Sequence, residues 1–328
     1  LNLNLFLFLL KAFNMEIPTY QGIESAHKRI APFIHQTPIF FSEGINRITG
    51  ASIFFKCENL QKVGAFKYRG ATNAVQLLTD AEAAKGVLTH SSGNHAQALS
   101  LAAKVRGIKA HIVMPINSSQ VKINAVEEYG GEIYFCEPNL KARESKAQEI
   151  LDKTGAIFIH PYDNPNIIEG QGTAAKEMYQ TLGTLDAIIA PIGGGGLMSG
   201  TAIASKFLSP MTEVYGVEPA QADDARRSLE KGEIIEMINP NTIADGLRTS
   251  LSPLTFSIIK NKVDRIFGVQ EETIIKSMKM IWERLKLVVE PSGAVGLAAV
   301  LENPSIFNGK IIGIILSGGN IDVNNLPF

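Results

Sequence analysis

Ala187-Ile188-Ile189-Ala190-Pro191-Ile192-Gly193-Gly194-Gly195-Gly196-Leu197 is the stretch whose reading decides this chain. Six apolar residues form a buried-strand run, four glycines follow, and a helical pattern begins at Leu197. Glycines lack Cβ, so successive backbone N–H groups can turn into one concavity, to which the next helix adds its positive end. Such a loop suits a phosphate group. A plain strand-to-helix turn needs one or two glycines, not a run of them. The loop is no Walker sequence, because no Gly-Lys-Ser/Thr follows. Nor is it a dinucleotide fingerprint, since Met198 and Ser199 stand where the third glycine belongs.

Outward from this loop, short β-rich runs alternate with helical stretches. Strands are expected at 53–57, 86–90, 110–114, 132–136, 156–160, 187–192, 213–217 and 310–316, and helices at 96–105 and 141–153. This alternation predicts an α/β fold of mostly parallel sheets with right-handed crossovers and helices on both faces. Ligands in such sheets bind beyond the carboxyl ends of strands. The loops Ser91-Ser92-Gly93-Asn94, Gly193–Gly196 and Ser317-Gly318-Gly319-Asn320 fall there. The turn-rich segment His160-Pro161-Tyr162-Asp163-Asn164-Pro165-Asn166 marks a crossing between two lobes. The expected division is a large lobe of residues 15–76 and 165–328 and a small mobile lobe of 86–163.

The composition is that of a globular enzyme. A formal net charge of −1 leaves no nucleic-acid footprint, so a phosphate must be held by local geometry. Cys57 and Cys136 lack metal-ligand spacing and are too few for a disulfide framework, which favours a reducing cytoplasm. Leu1 to Phe13 is apolar but shorter than the ~20 residues of a membrane span, and it lacks signal-peptide features. Met15-Glu16-Ile17-Pro18-Thr19 reads as a natural start, so residues 1–14 are expected to be an upstream extension with no role in the fold.

A second motif is Glu58-Asn59-Leu60-Gln61-Lys62-Val63-Gly64-Ala65-Phe66-Lys67-Tyr68-Arg69-Gly70. Alone, Lys67 reads as a solvated surface lysine. Yet it stands beside Phe66 and between glycines that would admit a planar ligand, and lysine amines form Schiff bases with carbonyl compounds. With a phosphate loop elsewhere, this points to pyridoxal phosphate (PLP).

Phe66-Lys67-Tyr68-Arg69-Gly70-Ala71, Ser91-Ser92-Gly93-Asn94-His95-Ala96-Gln97, Gly170-Gln171-Gly172-Thr173, the tetraglycine and Ser317-Gly318-Gly319-Asn320 occur in an order that resembles the fold-type II PLP enzymes. Within them, the chain is similar to the serine racemase and serine/threonine dehydratase family over about residues 17–326. The resemblance implies a two-lobed fold with PLP in the interlobe cleft, and a short form without an amino-acid-sensing domain. It assigns Lys67 to hold PLP and act as base at the substrate Cα, with Phe66 beside the cofactor. Asn94 would bond the ring 3′-oxygen, Gly193, Gly194, Gly195, Gly196 and Leu197 the phosphate, and Ser317 the pyridine nitrogen. A serine there cannot keep the ring protonated as a carboxylate would, which favours loss of a β-hydroxyl or prompt reprotonation over a long-lived carbanion.

Ser91, Ser92, Asn94 and His95 are implied to hold the substrate carboxylate, with Asp245 and Gly246 supplied by the neighbouring lobe. Arg143 either closes over that carboxylate or is a solvated helix-face charge. Ser92 separates the branches: the racemase branch carries serine there, and short-form threonine dehydratases commonly carry alanine. Inversion needs a proton donor on the face opposite the lysine, which a hydroxyl can supply. Glu218-Pro219-Ala220-Gln221-Ala222-Asp223-Asp224 resembles the divalent-cation site of the racemase branch, with Glu218, the Ala222 carbonyl and Asp224 as ligands for Mg²⁺, Mn²⁺ or Ca²⁺. A solvated acidic turn is the alternative. Val63, Ala65 and Tyr68 depart from the common pattern and bear on substrate preference and on a nucleotide activator.

The expected enzyme is thus a PLP-dependent serine racemase and L-serine or L-threonine ammonia-lyase. A plain catabolic threonine dehydratase or a 3-hydroxyaspartate ammonia-lyase is the alternative. An NAD-dependent oxidoreductase lacks its glycine fingerprint, and a catalytically silent PLP-binding protein stays open. The expected partners are a small amino-acid substrate and a second copy in a homodimer, with no nucleic acid and no membrane.

Overall fold

Two sheets organise residues 17–328, the part of the chain that the computed structural model describes. The expectation for residues 1–14 lies outside these residues. The first sheet has six strands in the order β1-β2-β10-β7-β8-β9. They are β1 (Ile39–Phe41), β2 (Ser52–Cys57), β7 (Ala187–Pro191), β8 (Glu213–Pro219), β9 (Arg265–Val269) and β10 (Ile311–Leu316). All pair in parallel except β1 with β2. The second sheet has the order β5-β4-β3-β6 and is parallel throughout. Its strands are β3 (Val87–His90), β4 (Ala110–Pro115), β5 (Gly131–Cys136) and β6 (Ile157–Phe158).

The central strands are apolar on both faces because both faces are covered. In β7, Ala187 and Ile189 enter one core while Ile188 and Ala190 enter the other. The helices Glu271–Leu285 and Pro291–Glu302 supply the first core. Pro165–Leu182, Gly196–Leu208 and Pro253–Lys262 supply the second. This period of two along a strand lets an unbroken apolar run serve two layers.

Two strands escaped the sequence reading. β1 is a three-residue edge strand with exposed Phe40 and Phe41, and β9 is an edge strand opened by Arg265 and interrupted by Gly268. At the 156–160 stretch only Ile157–Phe158 is extended in the sheet, and His160 belongs to the turn beyond it. Among the described residues, no helix is long and apolar enough to cross a membrane.

Close helix packing positions the site. A Cβ on Gly170 would lie 2.5 Å from Gly70 Cα, and one on Gly200 would lie 2.5 Å from Gly172 N. The helices Lys67–Leu77, Pro165–Leu182 and Gly196–Leu208 therefore touch backbone to backbone. Gln171 Oε1 accepts from Gly70 N at 3.2 Å, and Thr173 Oγ1 accepts from Arg69 at 3.1 Å. The Gly170-Gln171-Gly172-Thr173 motif acts as a clasp on the helix that carries Lys67.

Candidate active site

β10 lies between β2 and β7, and β3 lies between β4 and β6, so the direction in which successive strands are added across the sheet reverses beside both strands. Loops after β3, β7 and β10 accordingly open at switch points, where crevices form. The loop after β7 needs its glycines for two physical reasons. Gly195 has φ +86°, a conformation that favours glycine, whereas Gly193 and Gly194 are crowded. A Cβ on Gly193 would lie 2.9 Å from Gly246 O, and one on Gly194 would lie 2.3 Å from the Tyr162 ring. The helix Gly196–Leu208 begins at once and brings its N-terminal end to the loop.

The loop after β10 fixes Lys67. Phe66 N donates to Ser317 O at 3.0 Å and Gly319 N to Gly64 O at 2.9 Å, a short antiparallel clamp. Just upstream, Val63 adopts φ 57°, costly for a β-branched residue, and Asn320 Nδ2 holds its carbonyl at 2.7 Å. Lys67 opens the helix beyond. The residue is half-buried as a whole, while its amine is desolvated and donates to Pro161 O at 2.9 Å. Desolvation brings its pKa down to about 8, so a minority of the amine, about a fifth at pH 7.4, is neutral near physiological pH.

Histidines near this amine are kept neutral. His95 is buried, its Nε2 lies 3.2 Å from Ile159 O, and burial first, then the Lys67 charge, hold its pKa well below normal. Its Nδ1 is buried without a partner among the described residues. His160 Nδ1 accepts from Asp163 N at 2.8 Å, and burial followed by His90 and Lys67 lowers its pKa to about 4.

Asn94 opens the helix Asn94–Arg106 at the end of β3 and reaches the other sheet. Its Nδ2 donates to Glu290 at 2.9 Å and its Oδ1 accepts from Asn320 at 2.9 Å. Ser91 N bonds Val113 O at 3.1 Å, and Ser91 Oγ accepts from Gly93 N at 3.4 Å, which shapes the Ser91–His95 turn. Asp245 bridges the sheets from the opposite side, with Oδ2 2.5 Å from Lys122 Nζ.

An enclosed amine, a crowded glycine cradle and an unpartnered buried imidazole nitrogen together fit PLP. The sequence profile described as "Pyridoxal-phosphate dependent enzyme" matches residues 30–318. The chain belongs to the pyridoxal-phosphate dependent enzymes. It is 51% identical to a β-hydroxyaspartate dehydratase of Paracoccus denitrificans, over 96% of this chain and 100% of that one. It is 52% identical to a serine racemase of Arabidopsis thaliana, over 93% and 94% of the two chains. Among solved structures, maize serine racemase superposes with a TM-score of 0.92 at 45% identity, covering 94% of this chain and 95% of that one. The architecture is that of the fold-type II PLP enzymes.

In this PLP enzyme the acidic turn after β8 gathers further buried carboxyls. Glu218 is fully buried and accepts from Ala225 N at 3.1 Å and Arg226 N at 2.9 Å. Both carboxylate oxygens of Asp224 are buried without a partner among the described residues. Desolvation first, then Asp224, holds Glu218 well above the carboxylate range, and Asp224 itself is pushed up to about 7, mainly by desolvation. Among the described residues no three His, Cys, Asp or Glu side chains converge as a metal set, so a cation here would need the Ala222 carbonyl. Oxygen donors with unpaired charge fit a hard divalent cation.

Arg143 stands on the helix Leu140–Thr154 with its Nε buried and unpartnered among the described residues, and its charge acts on His90 and Cys136. Sequence reading missed Glu290 and Tyr162. Glu290-Pro291 opening an apolar helix was the available signal for the first, but nothing local ties it to Asn94. Cys57 and Cys136 are free and buried.

Proposed function

We propose that this PLP enzyme acts on serine and related 3-hydroxy amino acids, giving D-serine by racemisation and pyruvate plus ammonia by β-elimination. The observation that carries the reading is the Lys67 amine, enclosed, brought to about 8 by desolvation and flanked by neutral histidines. Likeness to serine racemases over nearly the whole chain supports it.

Bound PLP would supply an electron sink for the electrons left at Cα when its proton departs. Lys67 would hold it and supply the amine that takes the Cα proton, as an amine with a pKa near neutrality can. Phe66 would lie beside the ring, Asn94 would donate to the ring oxygen, Ser317 would face the pyridine nitrogen, and Gly193–Gly196 with Leu197 would cradle the phosphate. Ser91, Ser92, Asn94 and His95 would bind the carboxylate, with Arg143 and Asp245 at the cleft's mouth. Ser92 would return a proton to the face opposite Lys67. Neutral His95 and His160 keep a competing positive charge away from the amine.

The lobe of residues 86–163 would close on that of 15–76 and 165–328, a motion that the Lys122–Asp245 pair would latch. Glu218, Asp224 and the Ala222 carbonyl would hold Mg²⁺, Mn²⁺ or Ca²⁺. The same reading takes the enzyme as a cytoplasmic homodimer. Likeness to the Paracoccus denitrificans enzyme favours a second reading, elimination from 3-hydroxyaspartate.

Incubation with L-serine, L-threonine and 3-hydroxyaspartate, scoring keto acid and D-amino acid together, separates these readings. Ser92→Ala should cut D-serine formation by ~10²–10⁴, the usual worth of a positioned acid or base, and spare elimination from L-serine. Undiminished racemisation would move the proton donor elsewhere and leave Ser92 as a carboxylate ligand.

A further inference from the structure

Glu290 caps the helix Pro291–Glu302 and is only 5% exposed, yet the chemistry above gives it no part. Its surroundings are specific. Its Oε1 accepts from Asn94 Nδ2 at 2.9 Å, and a Cβ on Gly318 would lie 2.6 Å from that same oxygen. Asn94 Oδ1 is meanwhile occupied by Asn320 Nδ2 at 2.9 Å. The Asn320 amide, itself oriented by donating to the Val63 carbonyl at 2.7 Å, fixes which end of Asn94 is which. Oδ1 is taken by Asn320, one N–H by Glu290, and the second N–H is left for a ligand.

Charge from both lobes converges on Glu290. Burial is the largest influence, Asp245 adds to it, and the Asn94 bond and Lys122 oppose it; together they push the carboxyl up to about 8. Asp245 and Lys122 are the pair that bridges the sheets at 2.5 Å. The same two residues that join the lobes therefore act on a group one hydrogen bond from Asn94.

We propose that Glu290 is a positioning residue, which aims the Asn94 amide at the cofactor's ring oxygen and passes the charge state of the cleft mouth to that oxygen. The inference rests on the PLP reading of the site but not on which amino acid is the substrate. Below about 8 the neutral carboxyl accepts from Asn94 without adding charge. Above it, the carboxylate brings a negative charge close to the ring oxygen and disfavours the anionic form of that oxygen.

The test is a pH titration of the holoenzyme's cofactor absorbance, with no substrate present. In the wild type the longer-wavelength band should give way with a midpoint near the value of about 8 that Glu290 is held at. Glu290→Gln keeps an acceptor for Asn94 but cannot ionise, so its spectrum should stay flat through that range. Lys122→Gln removes an opposing positive charge and should raise the midpoint. An unchanged midpoint in Glu290→Gln overturns the proposal, as does an unmoved midpoint in Lys122→Gln, which also serves should the first variant fold poorly. Wild-type protein showing no cofactor absorbance at all would instead contradict the PLP reading.

Discussion

Arg69 and Asp224 are both fully buried ionisable side chains, and the protein treats them in opposite ways. Arg69 donates to both oxygens of Glu58 at 2.7 and 2.8 Å and to both oxygens of Glu177 at 2.7 and 2.8 Å. Lys56 completes the group, with Nζ 2.6 Å from Glu177 and 2.7 Å from Thr37 O. Two acids and two bases balance, and their hydrogen bonds tie β2, the Lys67 helix and Pro165–Leu182 together. Burial would raise the pKa of Glu177, yet Arg69 and Lys56 more than offset this and it lies below the ordinary value. Asp224 has a second acid, Glu218, as its neighbour and no partner for its oxygens among the described residues. A balanced cluster is scaffolding. An unbalanced one carries repulsion that a bound cation would relieve.

The largest effect should come from unbalancing the scaffold. Arg69→Met leaves Glu58 and Glu177 facing each other in the interior, and removal of one partner from a buried ion group costs about 3–5 kcal/mol. Urea denaturation should register that loss; a variant as stable as the wild type would show that the cluster is not a clasp.

The acidic turn should respond in the reverse sense. Asp224→Asn relieves repulsion with Glu218, so it should stabilise protein treated with chelator while removing the gain that the proposed Mg²⁺ site should confer. For the wild type that gain should be about 2.7 kcal/mol at a hundredfold excess over Kd. Thermal melts of both proteins with chelator and with Mg²⁺ supply the comparison. Equal Mg²⁺ responses would return Glu218 and Asp224 to a solvated-turn role.

A third effect belongs to His160, half-buried, unpaired in charge and neutral. Its folded pKa of about 4 lies below the ordinary histidine value of 6.5. The unfolded chain therefore binds a proton that the fold refuses, so stability should decline as pH falls from 6.5 towards 4. His160→Gln should flatten that slope in denaturation midpoints taken across the interval. An identical slope would assign acid sensitivity to other groups.

Legibility in the sequence followed the range of the interactions. Gly193–Gly196 and the apolar runs of β7 and β10 declare themselves locally, because a missing Cβ and continuous burial each leave a short signature, whereas Lys67 gains its meaning only beside the distant phosphate loop. Glu290 and Asn94 are 196 positions apart, and Lys122 and Asp245 are 123 apart. No periodicity in the chain links such residues; the two sheets bring them together. Arg69 and Glu58 were visible only as letters of a motif, while Lys56 and Glu177 gave no hint that they complete an ion group. The edge strands β1 and β9 were missed because an edge needs neither length nor unbroken apolarity.

The central claim is that Lys67 carries the cofactor, and borohydride reduction of the holoenzyme followed by proteolysis and peptide mass mapping tests it most directly. A phosphopyridoxyl adduct on the peptide containing Lys67, absent from Lys67→Ala protein, is the predicted result. An adduct on a different lysine, or none on protein that retains the cofactor's absorbance, would contradict the account.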